Sequence, residues 1–173
     1  MLNRILGRVL AGAAMVAALA AVPAVAEEQF SLARFGGAAA GQSVATVQRA
    51  LRDDLAPIDG NADPECHFRQ AARRFPNLRI MVEKGVVTRF DTKDPQYATS
   101  AGVRVGDTVE RVKAAYGPKI RGTQHQIDPK GLLLTIYNTE HTIGLVFEAH
   151  GGTVTEIRSG RVPAVDYVHG CPW

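Results

Sequence analysis

An internal repeat constrains the fold of this chain more than any other feature of the sequence. The segment GQSVATVQRAL, Gly41–Leu51, matches GDTVERVKAAY, which begins 65 positions later, at Gly106. The apolar pattern continues at the same offset into the later part of both segments, with one slip of two residues at a turn. We therefore expect two similar structural units, residues 41–92 and 106–159.

Each unit is predicted to be one helix followed by a three-stranded antiparallel meander. Apolar residues spaced three and four positions apart predict helices over Ser43–Leu55 and Thr108–Tyr116. Asp107 opens the second helix, and Glu110 three residues later completes a capping-box pattern. Runs of β-forming residues predict strands at about 66–71, 78–83, 86–91, 132–137, 142–148 and 153–158, and a further strand at 124–127 is an option.

The repeat decides one ambiguous segment. Taken alone, Pro64–Phe75 could form a short helix with Asp63 as its cap and Pro64 in the first turn. Its counterpart, Gly131–Glu140, is rich in β-formers and ends at an Asn-Thr turn. Because two copies of one unit share a structure, we predict a strand over Cys66–Ala71.

Alternation along the central strands assigns two faces to the predicted sheet. One face carries large apolar side chains that should pack against the helices: Leu78, Ile80, Val82, Ile143, Leu145 and Phe147. The other face is mixed in character and is expected to be open. The predicted fold class is α+β, with two tandem helix-plus-three-stranded-meander units forming one antiparallel sheet with helices on one face.

The first 26 residues have the pattern of a secretory signal peptide. Arg4 and Arg8 lie before the apolar run Val9–Val22. Ala24-Val25-Ala26 is a small-residue cleavage pattern. We expect cleavage after Ala26 and a soluble mature protein in the periplasm or outside the cell. The apolar run is shorter than the roughly 20 residues that span a bilayer, so no membrane insertion is expected, and no cysteine lies near the cleavage point, so no lipid anchor is expected. Residues 27–40 are predicted to be a flexible lead, residues 41–173 a single domain, and residues 160–173 its C-terminal tail.

The charge of the mature chain is nearly balanced. The whole sequence has 20 basic and 17 acidic residues, and two of the basic residues belong to the signal, which leaves 18 against 17. A nucleic-acid-binding protein usually has a basic face. The only local cluster is Arg69, Arg73, Arg74 and Arg79, which is best interpreted as a solvated surface, so no nucleic-acid partner is expected.

Cys66 and Cys171 are the only two cysteines. An oxidising compartment favours a disulfide between them. The alternative is a zinc site, because His67 and His169 lie beside the two cysteines and would complete a ligand set of two thiolates and two imidazoles. The adjacent Cys-His pair is poorly placed for tetrahedral ligation, which favours the disulfide.

The doubled unit resembles known secreted bacterial folds. The phrase GVRVGDTVERVKAAYG at Gly102–Gly117 looks like the helix-opening motif of helix-plus-meander proteins. The tandem arrangement is similar to the beta-lactamase inhibitor protein fold, and the single unit resembles the outer-membrane assembly lipoprotein BamE. Cys66, Met81–Thr92 and the closing Tyr167–Cys171 also resemble a group of uncharacterised secreted proteins, some of which carry a lectin label.

The resemblance implies a fold more than a function. BamE-type proteins are lipidated at an N-terminal cysteine, which this chain lacks. The known inhibitor uses aromatic residues on its concave sheet face, whereas aromatic residues make up 6% of this chain. A beta-lactamase target is therefore not implied.

Sequence signatures of catalysis are missing. No HExxH, GxSxG, P-loop or Rossmann glycine pattern occurs, and no cofactor is expected. The histidines never have the spacing of two metal ligands on one helix turn: His67, His125, His141, His150 and His169. A triad built from distant residues is the remaining route to an enzyme, and it ranks third among the functional hypotheses.

The leading hypothesis is a non-catalytic interaction module that binds a protein or an envelope polymer through the open sheet face. Met81 and Val146 form an apolar centre with an arginine-containing rim, as in a protein contact. The candidate binding residues are Arg79, Met81, Arg89, Tyr137, Val146, Glu148 and Arg158. The alternative is a carbohydrate-binding, lectin-like protein, for which the aromatic candidates are Tyr97, Tyr137, Tyr167 and Trp173.

Overall fold

A computed structural model describes residues 28–58, 63–71 and 73–171. The predicted signal peptide, residues 1–26, lies outside this range, as does Trp173. The described chain contains two α-helices, a three-stranded sheet and an eight-stranded sheet. It is thus an α+β structure with one large antiparallel sheet, as predicted.

Residues 30–39 form the small sheet and are not a flexible lead. Its strands are β1 (Phe30–Ser31), β2 (Arg34–Phe35) and β3 (Ala38–Ala39). The phenyl rings of Phe30 and Phe35 meet edge to face at 5.0 Å and are fully buried in the main core. The prediction for this segment is wrong because burial of these two rings ties the segment to the rest of the protein.

Helix α1 is Val44–Leu51 and is shorter than predicted. The Ser43 side chain caps its first turn by accepting a hydrogen bond from the N–H of Thr46. The helix ends because Arg52 adopts a left-handed conformation, with φ of 53°. Leu55, the last residue of the predicted helix, therefore begins strand β4 (Leu55–Pro57).

Helix α2 is Val109–Tyr116. Its cap is Thr108, whose hydroxyl accepts a hydrogen bond from the N–H of Arg111. Asp107, the predicted cap, instead accepts a hydrogen bond from the N–H of Arg104 and closes the preceding turn. The helix is followed by a 3-10 turn, Gly117–Lys119.

The large sheet is antiparallel throughout, with the strand order β4-β5-β6-β7-β11-β10-β9-β8. In addition to β4, its strands are β5 (Cys66–Ala71), β6 (Phe75–Glu83), β7 (Val86–Thr92), β8 (Arg121–Gln124), β9 (Gly131–Tyr137), β10 (Ile143–His150) and β11 (Thr153–Arg161). The strand predicted at Cys66–Ala71 is confirmed. The additional strand lies at 121–124, three residues before the segment considered for it.

The main core lies between the helices and one face of the large sheet, the helix-side face. Val47 and Leu51 of α1 and Val109 and Val112 of α2 pack in the same cluster as the inward side chains of the central strands. Those inward side chains include Leu78, Ile80, Val82, Leu145 and Phe147, as the alternation predicted. Side chains between them in sequence point to the opposite face, which we call the second face.

The two halves of the chain have the same order of elements. Each half is a helix followed by four strands, and the helices begin 65 positions apart, at Val44 and Val109. The last strands of the halves, β7 and β11, pair with each other at the centre of the sheet. In each half, one further strand, β4 or β8, lies outside three consecutive antiparallel strands.

Candidate functional site

A disulfide between Cys66 and Cys171 confirms the predicted pairing. The two sulfur atoms are 2.08 Å apart and the Cα atoms 5.8 Å apart, a separation within the range that a disulfide requires. The bond fastens the end of the C-terminal segment (residues 162–171) to the start of β5. Because both sulfur atoms are used in the bond, the alternative zinc site with thiolate ligands is wrong.

The C-terminal segment covers part of the second face. Its 3-10 turn, Ala164–Asp166, packs against β7, β10 and β11. Ala164 joins Cys66 and Met81 in a second, smaller hydrophobic cluster. Met81 is 0% exposed and Val146 is 1% exposed, so the expectation that they form the centre of an open face is wrong.

Arg89 holds the C-terminal segment in place. Its Nη1 atom donates hydrogen bonds to the carbonyl oxygens of Ala164 (2.7 Å) and Tyr167 (2.8 Å). Its Nε atom lies 2.7 Å from one oxygen of Asp91, and its Nη2 atom donates to the other at 2.8 Å. Since both side chains are almost completely buried, Arg89 is a structural residue and not an exposed binding residue.

Arg158 lies beside this ion pair. It is directly opposite Asp91 on the neighbouring strand, and its Nη1 atom donates to Glu148 at 2.9 Å. Its side chain is 1% exposed, and its Nε and Nη2 atoms have no hydrogen-bond partner among the described residues. Burial raises the pKa of the nearby Glu156, and the negative charge of Asp91 raises it further. The predicted residues Arg158 and Glu148 therefore form part of a buried charged network.

Tyr137 also contacts the C-terminal segment. Its hydroxyl donates a hydrogen bond of 2.5 Å to Asp166. Burial, followed by the effect of Asp166, raises the pKa of Tyr137 to about 12, so the hydroxyl stays protonated at neutral pH. The ring also lies against His141, with centroids 4.0 Å apart. Tyr137 is thus half-buried and does not present an open aromatic platform.

Arg79 is the predicted binding residue that stays exposed. Its guanidinium lies over the ring of Phe68, 4.1 Å from the ring centroid, a favourable cation–π contact. It forms one wall of a concave pocket of about 630 Å³, which we call the Arg79 pocket. The lining residues are Ile58, Gln70, Pro76, Asn77, Arg79, Lys93, Asp94 and Pro95.

Some polar groups of the Arg79 pocket form hydrogen bonds within the protein, and others remain accessible. Both oxygens of Asp94 accept hydrogen bonds, one from Asn77 Nδ2 and the other from the N–H of Gln96. The Gln70 amide donates to the carbonyl of Pro76. Lys93 Nζ lies 3.5 Å from Glu156, with 69% of the lysine side chain exposed. The pocket therefore combines one hydrogen-bonded carboxylate with two accessible cations.

Apart from Arg79, no residue of this pocket was predicted from the sequence. Its other residues come from the end of β5, the start of β6, the position after β4 and the loop after β7. The register could have brought part of it together, because Gln70 and Arg79 are cross-strand partners. The meeting of two strand ends and two loop segments at one end of the sheet is a tertiary property that alternation alone does not predict.

The remaining aromatic and histidine candidates are engaged elsewhere. Tyr97 is 7% exposed, and the Tyr116 ring packs on Phe147. His125 Nδ1 accepts hydrogen bonds from the backbone N–H groups of Ile127 and Asp128. His150 Nδ1 lies 2.5 Å from Asp128, and this hydrogen bond lowers the pKa of Asp128.

Neither a metal-binding cluster nor a membrane-spanning helix occurs in the described part of the chain. Within residues 28–58, 63–71 and 73–171, no group of three or more His, Cys, Asp or Glu side chains is placed to hold a metal ion. None of the helices in this part of the chain is both long enough and apolar enough to cross a membrane.

Comparisons with known proteins give little further guidance. No protein family and no curated protein matches the sequence. Among solved structures, the chain is similar to the uncharacterized protein yfeY from Escherichia coli, with 14% identity and a TM-score of 0.40. The alignment covers 78% of this chain and 97% of that protein. A likeness at this level supports no statement about the fold or the function.

Proposed function

We propose that the protein is a secreted or periplasmic, non-catalytic binding module that holds a protein or an envelope polymer at the Arg79 pocket. The observation that carries this proposal is the state of Arg79. It is an exposed cation in a concave site, fixed on an aromatic ring, whereas Arg89 and Arg158 of the same face are buried in ion pairs. Charged groups at such a position commonly direct recognition.

This proposal moves the binding site away from the centre of the sheet face. Met81, Arg89, Val146 and Arg158 are buried, and Tyr137 bonds to the C-terminal segment. Substitution of these residues would disturb the fold before it reported on a ligand. Among the predicted binding residues, Arg79 is the one whose substitution should leave the core unchanged.

The test is capture of a partner from an envelope extract by the oxidised protein. We expect Arg79→Glu to abolish capture, because it reverses the charge at the pocket wall. Arg49→Glu is the matched control, since Arg49 is an exposed arginine of α1 on the other side of the sheet. Capture that survives Arg79→Glu would contradict the proposal.

A secreted location is part of the proposal. The disulfide between Cys66 and Cys171 supports it, because such bonds persist in oxidising compartments. N-terminal sequencing of the exported protein is expected to begin at Glu27. Recovery of the uncleaved chain in the cytoplasm would contradict the proposed location.

We also propose that residues 41–92 and 106–159 are two copies of one unit. The 65-position offset and the identical order of elements support this. The proposal predicts that the Cα atoms of the two segments superpose over the helix and all four strands in a crystal structure. Helices that pack on the sheet at unrelated angles would contradict it.

A further inference from the structure

We propose that the Arg79 pocket binds the oxyanion, a carboxylate or a phosphate, of an acidic saccharide unit in an envelope polymer. This inference rests on the proposed function and adds the chemical class of the ligand. It follows from the charge of Arg79, the rigidity of its support and the composition of the pocket lining.

The charge of Arg79 is left available by its neighbours. Asp91 is the cross-strand partner of Arg79 on β7, but its carboxylate is already ion-paired with Arg89, which lies 2.7 Å from one oxygen and donates a hydrogen bond to the other. In the described part of the chain, no carboxylate lies within ion-pair distance of Arg79 and no acceptor takes a hydrogen bond from it. A guanidinium in this state has five donors free for a planar or tetrahedral oxyanion.

The guanidinium of Arg79 is also held in position. The Phe68 ring beneath it packs with Cys66 and Met81. The edge of the same ring lies close to Gly170 of the C-terminal segment. A Cβ added at Gly170 would lie 2.9 Å from Phe68 Cε2. A cation supported by a packed ring loses less conformational entropy on binding than a free side chain does.

The rest of the pocket favours a negative ligand. Asp94 is the single acidic residue of the lining, and hydrogen bonds from Asn77 and Gln96 occupy both of its oxygens. Lys93 adds a second cation, with most of its side chain exposed. Two accessible cations face one hydrogen-bonded carboxylate, so the pocket attracts an anion.

The lining suits a saccharide better than a protein segment. Protein contacts depend on buried aromatic or large apolar anchors, whereas the lining contains no aromatic residue. Among the described residues, the exposed large hydrophobic side chain is Ile127, which lies outside the pocket. A volume of about 630 Å³ falls in the usual range for small-ligand sites. The amides of Gln70 and Asn77 can hydrogen-bond to hydroxyl groups, so recognition depends on charge and hydrogen bonds and not on ring stacking.

The experiment is a calorimetric titration of the disulfide-bonded protein with tetragalacturonate, mannose 6-phosphate and neutral maltotetraose. We expect one of the two acidic probes to bind, with an affinity that falls as NaCl is raised. Loss of a charge-assisted contact in Arg79→Gln should weaken binding about tenfold or more. Lys93→Gln should weaken it less, and Arg49→Gln should leave it unchanged.

The two acidic probes distinguish the carboxylate from the phosphate, and binding of either one with this dependence on Arg79 supports the proposal. Equal binding of maltotetraose, unchanged affinity of Arg79→Gln, or no binding of either acidic probe would overturn it. If the saccharides fail while extract capture still depends on Arg79, the ligand class is wrong and the proposed function stands. If neither depends on Arg79, both are wrong.

Discussion

Arg89 and Asp91 form a two-pronged ion pair whose side chains are 2% and 1% exposed. The pair lies between the large sheet and the C-terminal segment, and Arg89 bonds to two carbonyl groups of that segment. It joins two parts of the chain that are 75 or more residues apart.

Loss of Arg89 should destabilise the protein strongly. In Arg89→Met, the Asp91 carboxylate stays buried without its counter-charge, which we expect to cost about 3 kcal/mol of unfolding free energy. Arg79→Met, an exchange of the exposed arginine on the same face, should change it by less than about 0.5 kcal/mol. Urea denaturation of both variants is the measurement, and equal stabilities would contradict the structural role of Arg89.

The disulfide should contribute through the length of the loop that it closes. Cys66 and Cys171 are 105 positions apart, and the chain-entropy account gives about 4 to 5 kcal/mol for such a loop. Cys66→Ser, Cys171→Ser and the double variant should therefore lose similar amounts of stability in urea. Losses that add in the double variant would show that each cysteine acts separately from the bond.

A methyl group at Gly160 should not fit. In Gly160→Ala, the new Cβ would lie 2.9 Å from the Cα of Arg89 and would clash with the carbonyl oxygen of Thr88. Because the obstacle is backbone of the neighbouring strand, we expect a loss of about 2 kcal/mol. Gly122→Ala on edge strand β8 is the control, since its nearest atom would be Leu134 Cδ2 at 3.5 Å. Thermal unfolding of the two variants checks this difference.

Asp53 should make stability depend on pH in the acid range. Burial alone would raise the pKa of Asp53, but hydrogen bonds from Arg74, Arg73 and Asp54 outweigh that effect and lower it. The unfolded chain binds a proton at Asp53 near pH 4, before the folded chain does. The stabilisation is therefore complete above that pH and is lost as the pH falls through the lower pKa of the folded state.

Urea midpoints between pH 7 and pH 2 measure this effect. We expect the wild-type midpoint to fall more steeply with acid than that of Asp53→Asn, whose side chain does not titrate in this range. Asp54→Asn is a matched control, because Asp54 is exposed. Parallel pH curves for wild type and Asp53→Asn would contradict the prediction.

The central part of the fold could be predicted because its signals are periodic. Alternation placed Leu78, Ile80 and Phe147 on the helix-side face, and the composition and compartment predicted the bond between Cys66 and Cys171. These inferences depend on the local geometry of strands and on the chemistry of thiols, both of which a sequence records directly.

The errors occur where distant contacts decide the structure. Strands of two residues are too short to show periodicity, so the burial of Phe30 and Phe35 was not predicted. The C-terminal segment has no counterpart after the first unit, and its position depends on Arg89. As a result, the second face was expected to be open. Of the residues that line the pocket at its end, Arg79 alone was among the predicted binding residues.

The pairing of β7 with β11 has a consequence for folding during synthesis. The first half of the chain ends with β7, whose outer edge finds its partner only when β11, the last strand of the second half, has formed. A chain that is made N-terminus first must therefore carry an unpaired strand edge until the other half of the sheet has been synthesised. Such an edge is a site for mispairing between chains, so the newly made protein depends on finishing its own C-terminal half before it meets a neighbour.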